Sequence, residues 1–233
     1  MIREDQPVHP SGNESTLQGK TIVITAGPTR EYLDPIRFIS NRSSGKMGYA
    51  LATEAKNRGA EVFLVSGPTE LESPDGVIIQ RIVSARDMLE AVKKHSSEAD
   101  IFIFAAAVCD YRPDSTAPQK IKKSAGPMHL PLALNPDIAA EISKSARSDQ
   151  ILVGFAAETQ NLLESAREKL KEKKFKIIVA NDVSTRRIGM ESDENEAVII
   201  NSEGKEFNVG PVHKRVMASR ILDEIEKYHN KSS

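Results

Sequence analysis

Six short runs rich in β-branched residues recur along this chain, and most of the stretches between them carry apolar residues at helical spacing. Strands are expected near Thr21 to Ala26, Glu61 to Val65, Val77 to Ile82, Asp100 to Ala105, Ile151 to Phe155 and Lys176 to Ala180. Helices are expected near Gly45 to Arg58, Ala85 to His95, Asp137 to Ser145 and Leu162 to Lys173. A final helix is expected over Val212 to Tyr228, where Ile221, Leu222 and Ile225 share one face. Runs such as Ile101-Phe-Ile-Phe104 are apolar throughout, as in strands buried on both faces. This alternation specifies an α/β fold, a Rossmann-like, mostly parallel sheet with helices on both faces. At 233 residues and 39% hydrophobic content the chain can bury such a core. Residues 1–18 are polar and without apolar period, and read as a flexible tail or linker before one domain over 19–233.

Charge and composition exclude several functions. The 32 basic and 33 acidic residues nearly cancel, so no global field points to nucleic acid or a membrane surface. No apolar run approaches the roughly 20 residues of a membrane span, and the start of the chain has no signal-peptide core. A single cysteine, Cys109, permits no internal disulfide, and His9, His95, His129, His213 and His229 are dispersed, so no metal site is expected. These features are those of a cytoplasmic protein.

Three stretches depart from a plain strand-helix alternation. Ala26 to Gly48, between the first strand and first helix, far exceeds the roughly two to six residues usual for such a connection. It is rich in donors, with Thr29, Arg30, Arg37, Asn41, Arg42, Ser43, Ser44 and Lys46, and phosphate sites of α/β proteins usually lie at this connection. Ala106 to Pro127 follows the fourth strand, is broken by Pro113, Pro118 and Gly126, and carries Lys120-Ile-Lys-Lys123. A mobile segment over the sheet's C-terminal edge is expected there. In 181–210, Val198-Ile-Ile200 and Lys205-Glu-Phe207 flank Asn201-Ser-Glu-Gly204, an appended β-hairpin. A lone hairpin is marginally stable, so it is expected to pack on another surface, with a second subunit as one candidate.

Neither common nucleotide fingerprint is present. A dinucleotide-binding turn needs Gly-x-Gly-x-x-Gly after strand one and an acidic residue at the end of strand two. Here strand one is followed by Gly27-Pro28-Thr29, and strand two ends Val65-Ser66-Gly67-Pro68. A P-loop fails as well, because Met47 follows Lys46 and Ser40 stands where its first glycine belongs. Ser43-Ser44-Gly45 before a helix keeps two readings, a phosphate-binding turn or an ordinary serine cap.

Other candidates collect where strands end. The small residues Ala105, Ala106 and Ala107 let a flat ligand lie against the backbone, and Asp110 beyond them can accept hydrogen bonds from a base or ribose or cap a turn. Asn135 and Asp137 open a helix as caps or ligand contacts, and Phe155 and Glu158 close the fifth strand. Lys120, Lys122 and Lys123 form either a solvated loop or a clamp on a triphosphate. Lys169 and Lys173, four apart, share a helical face that is either a solvated end or a phosphate contact. Cys109 has no histidine near it in sequence to generate a thiolate and reads as a small buried residue. Most of these segments face the C-terminal end of a parallel sheet, where ligands of open α/β sheets bind.

Thr25-Ala-Gly-Pro-Thr-Arg-Glu31, Ser40-Asn-Arg-Ser-Ser-Gly-Lys-Met-Gly48, Ala106-Ala-Val-Cys-Asp-Tyr-Arg112, Lys120-Ile-Lys-Lys123, Asn135-Pro-Asp137, Gly154-Phe-Ala-Ala-Glu-Thr159 and Asn181-Asp-Val-Ser184 together resemble phosphopantothenoylcysteine synthetases of coenzyme A biosynthesis. The resemblance runs from about Gly19 to the C-terminus. Cys109 departs from the small residue, usually Ala, common in the family. The resemblance implies a phosphopantothenate–cysteine ligase that joins 4′-phosphopantothenate and L-cysteine, splits CTP to CMP and pyrophosphate through an acyl-cytidylate, and requires Mg²⁺.

By motif position it implies Asn41 at the acyl group and Lys120 at the nucleotide phosphates as catalytic residues. Ser43, Ser44, Gly45, Ala106, Asp110, Lys122, Asn135, Asp137, Phe155, Lys169 and Lys173 would be nucleotide contacts, with Arg37 and Arg42 as substrate or cross-subunit phosphate contacts. It further implies a homodimer whose 181–210 hairpin reaches the partner, and fusion or association with a phosphopantothenoylcysteine decarboxylase, as in many bacteria. Two other classes remain open on the residues alone: an NAD(P)-dependent oxidoreductase of Rossmann type, and a non-catalytic nucleotide-binding regulator.

Overall fold

In the computed structural model the described residues are 17–123, 126–158, 161–182 and 192–232. Residues 1–16 of the expected tail, Thr159 and 183–191 of the hairpin region lie outside them. Six parallel strands form the centre of the sheet: β1 (Thr21–Ala26), β4 (Glu61–Ser66), β5 (Ile78–Arg81), β6 (Ile101–Phe104), β9 (Ile151–Glu158) and β10 (Ile177–Asp182). These match the six expected strands, with β9 running further than the sequence suggests. Two antiparallel strands, β11 (Glu194–Asn201) and β12 (Glu206–His213), extend one edge, giving the order β12-β11-β10-β9-β6-β1-β4-β5.

Alternation along each strand separates two cores. Ile22, Ile24, Ile101, Ile103, Ile177 and Val179 pack under α1 (Lys46–Asn57) and α5 (Lys214–Ser232). Val23, Phe102, Leu152 and Ile178 face the other way, under α2 (Ala85–Lys93), α3 (Ile138–Ser145) and α4 (Leu162–Glu172). Both faces are covered, which is why the strands read as unbroken apolar runs.

The hairpin expected to seek a second surface finds it within the chain. β11 pairs with β10 from Ile177↔Asn201 to Asn181↔Ala197, and its buried Ala197 and Ile199 lie in the same core as Met217, Ile221 and Ile225 of α5. Its turn is fixed by Asn201, whose Oδ1 accepts from the backbone N–H of Glu203 and Lys205, and by Gly204 at φ 82°. The hairpin is therefore the antiparallel edge of the main sheet, and β12 continues to His213, so α5 starts two residues later than the spacing suggests. None of the helices among the described residues is long and apolar enough to cross a membrane.

The long first connection contains a small antiparallel pair, β2 (Arg30–Tyr32) and β3 (Phe38–Ser40), that sequence reading treats as loop. A second such pair, β7 (Tyr111–Pro113) and β8 (Leu132–Leu134), brackets the lysine-rich stretch. Strands of three residues carry too short an alternation to be read.

Three glycines let α1 press its N-terminus onto β1. A Cβ at Gly48 would lie 2.5 Å from Ala26 Cβ, one at Gly45 2.8 Å from Thr69 Cγ2, and one at Gly27 2.9 Å from the same methyl. Replacing Gly48 with Ala gains up to about 1 kcal/mol of helix propensity but overpacks a rigid strand by about 1–3 kcal/mol. A net destabilisation of about 1–2 kcal/mol is expected in urea denaturation; an unchanged midpoint would show that α1 is free to lift from the sheet.

Candidate functional site

Taken in chain order, the six parallel strands lie 3-2-1-4-5-6 across the sheet, so the chain leaves β1 and β6 in opposite directions and opens a crevice between their C-terminal ends. The floor of this crevice is laced together. Ala107 N–H donates to Gly27 O (2.9 Å), Thr29 N–H to Ala107 O (3.3 Å) and Cys109 N–H to Thr29 Oγ1 (3.0 Å). The strand order is that of dinucleotide-binding domains, but the tight glycine turn after β1 is replaced by this lacing and the β2–β3 excursion.

Asn41 hangs over the floor. Its Nδ2 donates to the carbonyls of Ala107 (3.1 Å) and Val108 (3.0 Å), which fixes the amide at the point where the two loops meet. A cavity of about 410 Å³ opens on one side, lined by Asn41, Arg42, Ser43, Gly45, Ala106 and Phe155 among others. A second of about 640 Å³ opens on the other side and is lined by Asp110, Asn135, Asp137, Lys169 and Lys173. The two share Ala106, Val108 and Phe155, so they form one groove with a waist. Most of the sequence candidates thus converge as expected. Ser44 stands beside the first cavity without lining it.

The start of α1 bears on one of the two readings of Ser43-Ser44-Gly45, the serine cap. The cap position is Gly45, in the left-handed region at φ 80°, and no side chain caps the helix. Ser43 Oγ accepts only from Gly45 N–H, at 3.4 Å. An ordinary serine cap is therefore absent, and the N-terminal N–H groups of α1 face the first cavity with the helix dipole behind them. Backbone N–H groups at an uncapped helix start can take an anion as their partner.

In the second cavity the polar residues also hold one another. Asn135 donates from Nδ2 to Cys109 O (2.9 Å), and its N–H donates to Asp110 O (2.7 Å), so it fixes the approach to α3. Asp137 caps α3 by accepting from Ala140 N–H (2.9 Å) and pairs with Lys173 Nζ at 2.6 Å. Burial pushes the Asp137 carboxyl up, but Lys173 and the α3 amides outweigh it and hold it below the usual carboxylate range. Asp137 is thus the expected helix cap and also lines the cavity. Asp110 is exposed at the rim, and its carboxylate has no partner among the described residues. Cys109 is 4% exposed, with burial pushing its thiol up, as expected of an inert packed cysteine.

The expected clamp is elsewhere. Lys120, Lys122 and Arg37 line a separate hollow of about 660 Å³ that shares no residue with the groove. Arg37 is held by Asp34, a fully buried carboxylate that accepts from Arg37 Nε (2.9 Å), from the N–H of Ile36 and Arg37 (both 2.9 Å) and from Ile121 N–H (3.1 Å). Arg37 Nη2 in turn donates to Ile121 O at 2.9 Å. The lysine stretch is thus pinned at Ile121 to the β2–β3 turn, and within one chain it does not reach over the groove. A long polar loop with an Asp gave no signal of this, because the partners are 84 and 87 residues apart.

On the far wall of the first cavity Lys46 and Asn181, both singled out in the sequence, meet Asn195 and Lys214, which sequence reading missed. Lys214 and Asn195 are 5% and 3% exposed. Asn181 Oδ1 is buried with no partner among the described residues. An acceptor left this way costs about 1–3 kcal/mol, which a ligand or water donor would recover. Burial, and then the nearby Lys46 charge, pull the Lys214 ammonium down to about 8, against the pull of Asp193.

Residues 17–228 match the family model described as DNA/pantothenate metabolism flavoprotein C-terminal domain. The coenzyme A biosynthesis bifunctional protein CoaBC of Vibrio vulnificus (strain CMCP6) is 46% identical over 213 residues, covering 90% of this chain and 53% of that protein. Its counterpart in Bacillus subtilis (strain 168) is 45% identical over 210 residues, covering 90% and 52%. The chain spans about half the length of these relatives. A crystal structure of the C-terminal domain of a CoaBC protein superposes with a TM-score of 0.80 at 42% identity, covering 93% of this chain and 99% of that one.

The Asp34 carboxyl is held well below the usual range, chiefly by Arg37, against desolvation. A carboxylate depressed on folding contributes stability that is complete above about pH 4 and is lost as pH falls below it. Asp34→Asn should therefore lower the urea midpoint at pH 7 and speed trypsin cleavage after Lys120, with the midpoint gap to wild type narrowing toward pH 3. A gap that ignores pH would mean that the charge of Asp34 does not hold this loop.

Proposed function

The chain belongs to the DNA/pantothenate metabolism flavoprotein C-terminal domain family, and from that premise we propose that it is a phosphopantothenate–cysteine ligase of coenzyme A biosynthesis. It joins 4′-phosphopantothenate to L-cysteine through an acyl-cytidylate and cleaves CTP to CMP and pyrophosphate. The observation that carries this reading is the waisted groove at the switch point: two cavities meet beneath Asn41, one for each of two substrates that must react with one another.

In the first step a carboxylate oxygen of the acid attacks the α-phosphorus of CTP and pyrophosphate leaves. Like charges approach, so the step needs cations and oriented donors. The nucleotide lies in the second cavity, with its base and ribose toward Asp110, Asn135 and Asp137 and with Lys169 and Lys173 at hand. Its phosphates cross Ala106 and Phe155 toward Ser43, Gly45 and the N–H groups of α1. In the second step the cysteine amine attacks the acyl carbon, CMP departs and the amine loses a proton. Asn41, already fixed at the waist, orients the acyl carbonyl, with Arg42 beside it.

Mg²⁺ fits this site as a companion of the nucleotide. It keeps waters and binds mainly through phosphates, so the single unpaired carboxylate of Asp110 suffices for it, and when bound it would neutralise phosphate charge. Among the described residues no group of three or more His, Cys, Asp or Glu forms a cage.

A homodimer completes this reading. Asp34 and Arg37 pin the lysine stretch away from its own groove, so Arg37, Lys120 and Lys122 serve the groove of a second copy. Ile36, Phe38, Leu132 and Leu134, exposed beside that stretch, offer apolar surface for the contact. The domain of 19–233 takes in Leu17 as well, which is fully buried in the core and corrects the expected boundary at 18; the residues before it act as tail or linker, the hairpin edge faces the partner, and the enzyme works in the cytoplasm. A phosphopantothenoylcysteine decarboxylase, fused or associated, consumes the product.

The central test incubates the protein with Mg²⁺, phosphopantothenate and cysteine and with CTP or ATP in parallel, measuring pyrophosphate and amide product; nucleotide binding without either product would overturn the ligase reading. Asn41→Asp should leave pyrophosphate release with phosphopantothenate and CTP intact but slow amide formation by about a hundredfold or more, the usual cost of losing one oriented donor. Lys120→Gln should suppress pyrophosphate release. If Lys120 acts across the dimer, reassorting Asn41→Asp with Lys120→Gln subunits should restore about a quarter of wild-type sites, since half the dimers then hold one intact site. No recovery would place Lys120 in its own groove.

A further inference from the structure

The loop that follows β4 takes no part in the reaction as described, yet one of its side chains stands behind both the crevice floor and the start of α1. Ser66-Gly67-Pro68-Thr69 leaves β4 beside the turn after β1. Gly67 N–H donates to Ala26 O (2.9 Å), and a Cβ at Gly67 would fall on Pro28 O, so the two loops touch backbone to backbone. Thr69 closes the arrangement. Its Cγ2 lies 2.8 Å from the place a Cβ would take at Gly45 and 2.9 Å from the place one would take at Gly27. Both glycines are left-handed, at φ 80° and 74°. One methyl group therefore fills the notch between the start of α1 and the turn after β1.

The other branch of the same side chain fixes its rotation. Ser66 Oγ donates its one hydrogen to Gly67 O (2.9 Å), so in its 3.0 Å contact with Tyr49 Oη the tyrosine donates, and Tyr49 Oη in turn accepts from Thr69 Oγ1 (3.2 Å). Tyr49 and Ser66 are buried, and Tyr49 belongs to α1. The hydroxyl and the methyl of threonine share one carbon, so a hydroxyl held by α1 holds the methyl in the notch.

We propose that Thr69 is a positioning residue for the ligase: its methyl keeps Gly45 in the left-handed turn and registers the N–H groups of α1 for the phosphate group that lies against them. The assignment rests on the ligase reading above. Gly27 is the common reference, because its carbonyl accepts from Ala107 N–H and the carbonyl of Ala107 accepts from Asn41 Nδ2. Fixing Gly45 against Gly27 thus fixes α1 relative to Asn41. Without the methyl, a void opens beside two glycines, the residues with the widest choice of backbone conformation, and the turn relaxes into it.

Serine and valine separate the two branches, Thr69→Ser keeping the hydroxyl and Thr69→Val keeping the methyl. Binding is measured by calorimetry on the full chain with inorganic pyrophosphate, Mg²⁺-CTP and phosphopantothenate as separate titrants, beside urea unfolding and steady-state rates. Thr69→Ser should weaken pyrophosphate and one of the two substrates by about tenfold, the scale of losing a hydrogen bond to a charged group. That substrate is CTP if the nucleotide phosphates lie at α1, and phosphopantothenate if its phosphate does. The KM of the weakened substrate should rise in step while kcat stays within about twofold, the pattern of a lost ground-state contact. Thr69→Val should bind all three titrants within about twofold of wild type, even where the lost hydrogen bond lowers the urea midpoint. A Thr69→Ser protein that is less stable but binds every titrant as wild type does would reduce the methyl to ordinary packing and overturn the assignment. So would a Thr69→Val protein that binds as poorly as Thr69→Ser, or a wild type that does not bind pyrophosphate. Wild type that makes no amide product would defeat the ligase reading, and pyrophosphate binding by the three proteins would still decide the role of Thr69.

Discussion

The lacing of Gly27, Pro28 and Thr29 to Ala107 and Cys109 is the constraint on which the rest of the site depends. Parallel strands that diverge at a switch point leave an open crevice, and in this chain the crevice has a fixed floor because backbone groups of both loops pair across it. Each partner of that pairing has a structural condition. Gly27 adopts φ 74°, and a Cβ there would press on Thr69 and Gly67, so the turn admits only glycine without strain. Ala107 offers a carbonyl that accepts from both Thr29 N–H and Asn41 Nδ2, so the same atom closes the floor and aims the amide. Displacing one loop moves Asn41, the α1 terminus and the wall at Ala106 together.

The parallel sheet was legible in the sequence because both of its faces are buried and its strands are short apolar runs between clear helical periods. Much of the main groove was legible for a related reason: in a parallel sheet every strand ends on the same side, so Asp110 and Phe155, which follow or close strands, had to share an edge. What escaped reading was long-range and polar. Asp34 is a surface-type residue in a polar loop, yet it is fully buried because Arg37 and the backbone of Ile121 surround it. Lys214 falls within the expected last helix without standing out in the sequence, and its burial follows from where β12 and α5 meet. The hairpin was legible as a hairpin, but its composition could not say that β10 offers an open edge for it.

The excursion between β1 and α1 is long because it does three jobs in series. β2 and β3 turn the chain out and back, and Glu31 on β2 is buried to accept from Ala85 N–H at the start of α2 (2.9 Å), tying the excursion to the helix layer on the face opposite α1. The Asp34 turn then holds the lysine stretch, and the return through Ser40 places Asn41. Ser40 Oγ donates to Thr29 O at 2.7 Å, so the return is clipped to the outward limb just before the amide. A two-residue glycine turn could hold a pyrophosphate but could not also carry a donor over the neighbouring cavity.

Charge at the groove follows one pattern. Two of its lysines are held by carboxylates, Lys173 by Asp137 and Lys46 by Asp193, and Lys214 is drawn toward neutrality by burial and by Lys46. An empty site with several full, unpaired cations close together would repel itself, and in a partly buried crevice that repulsion is weakly screened. Pairing Lys173 and Lys46 with partly exposed carboxylates lowers that self-energy at little cost, since such pairs are individually weak. Such pairing keeps the empty crevice stable while leaving positive charge along its walls.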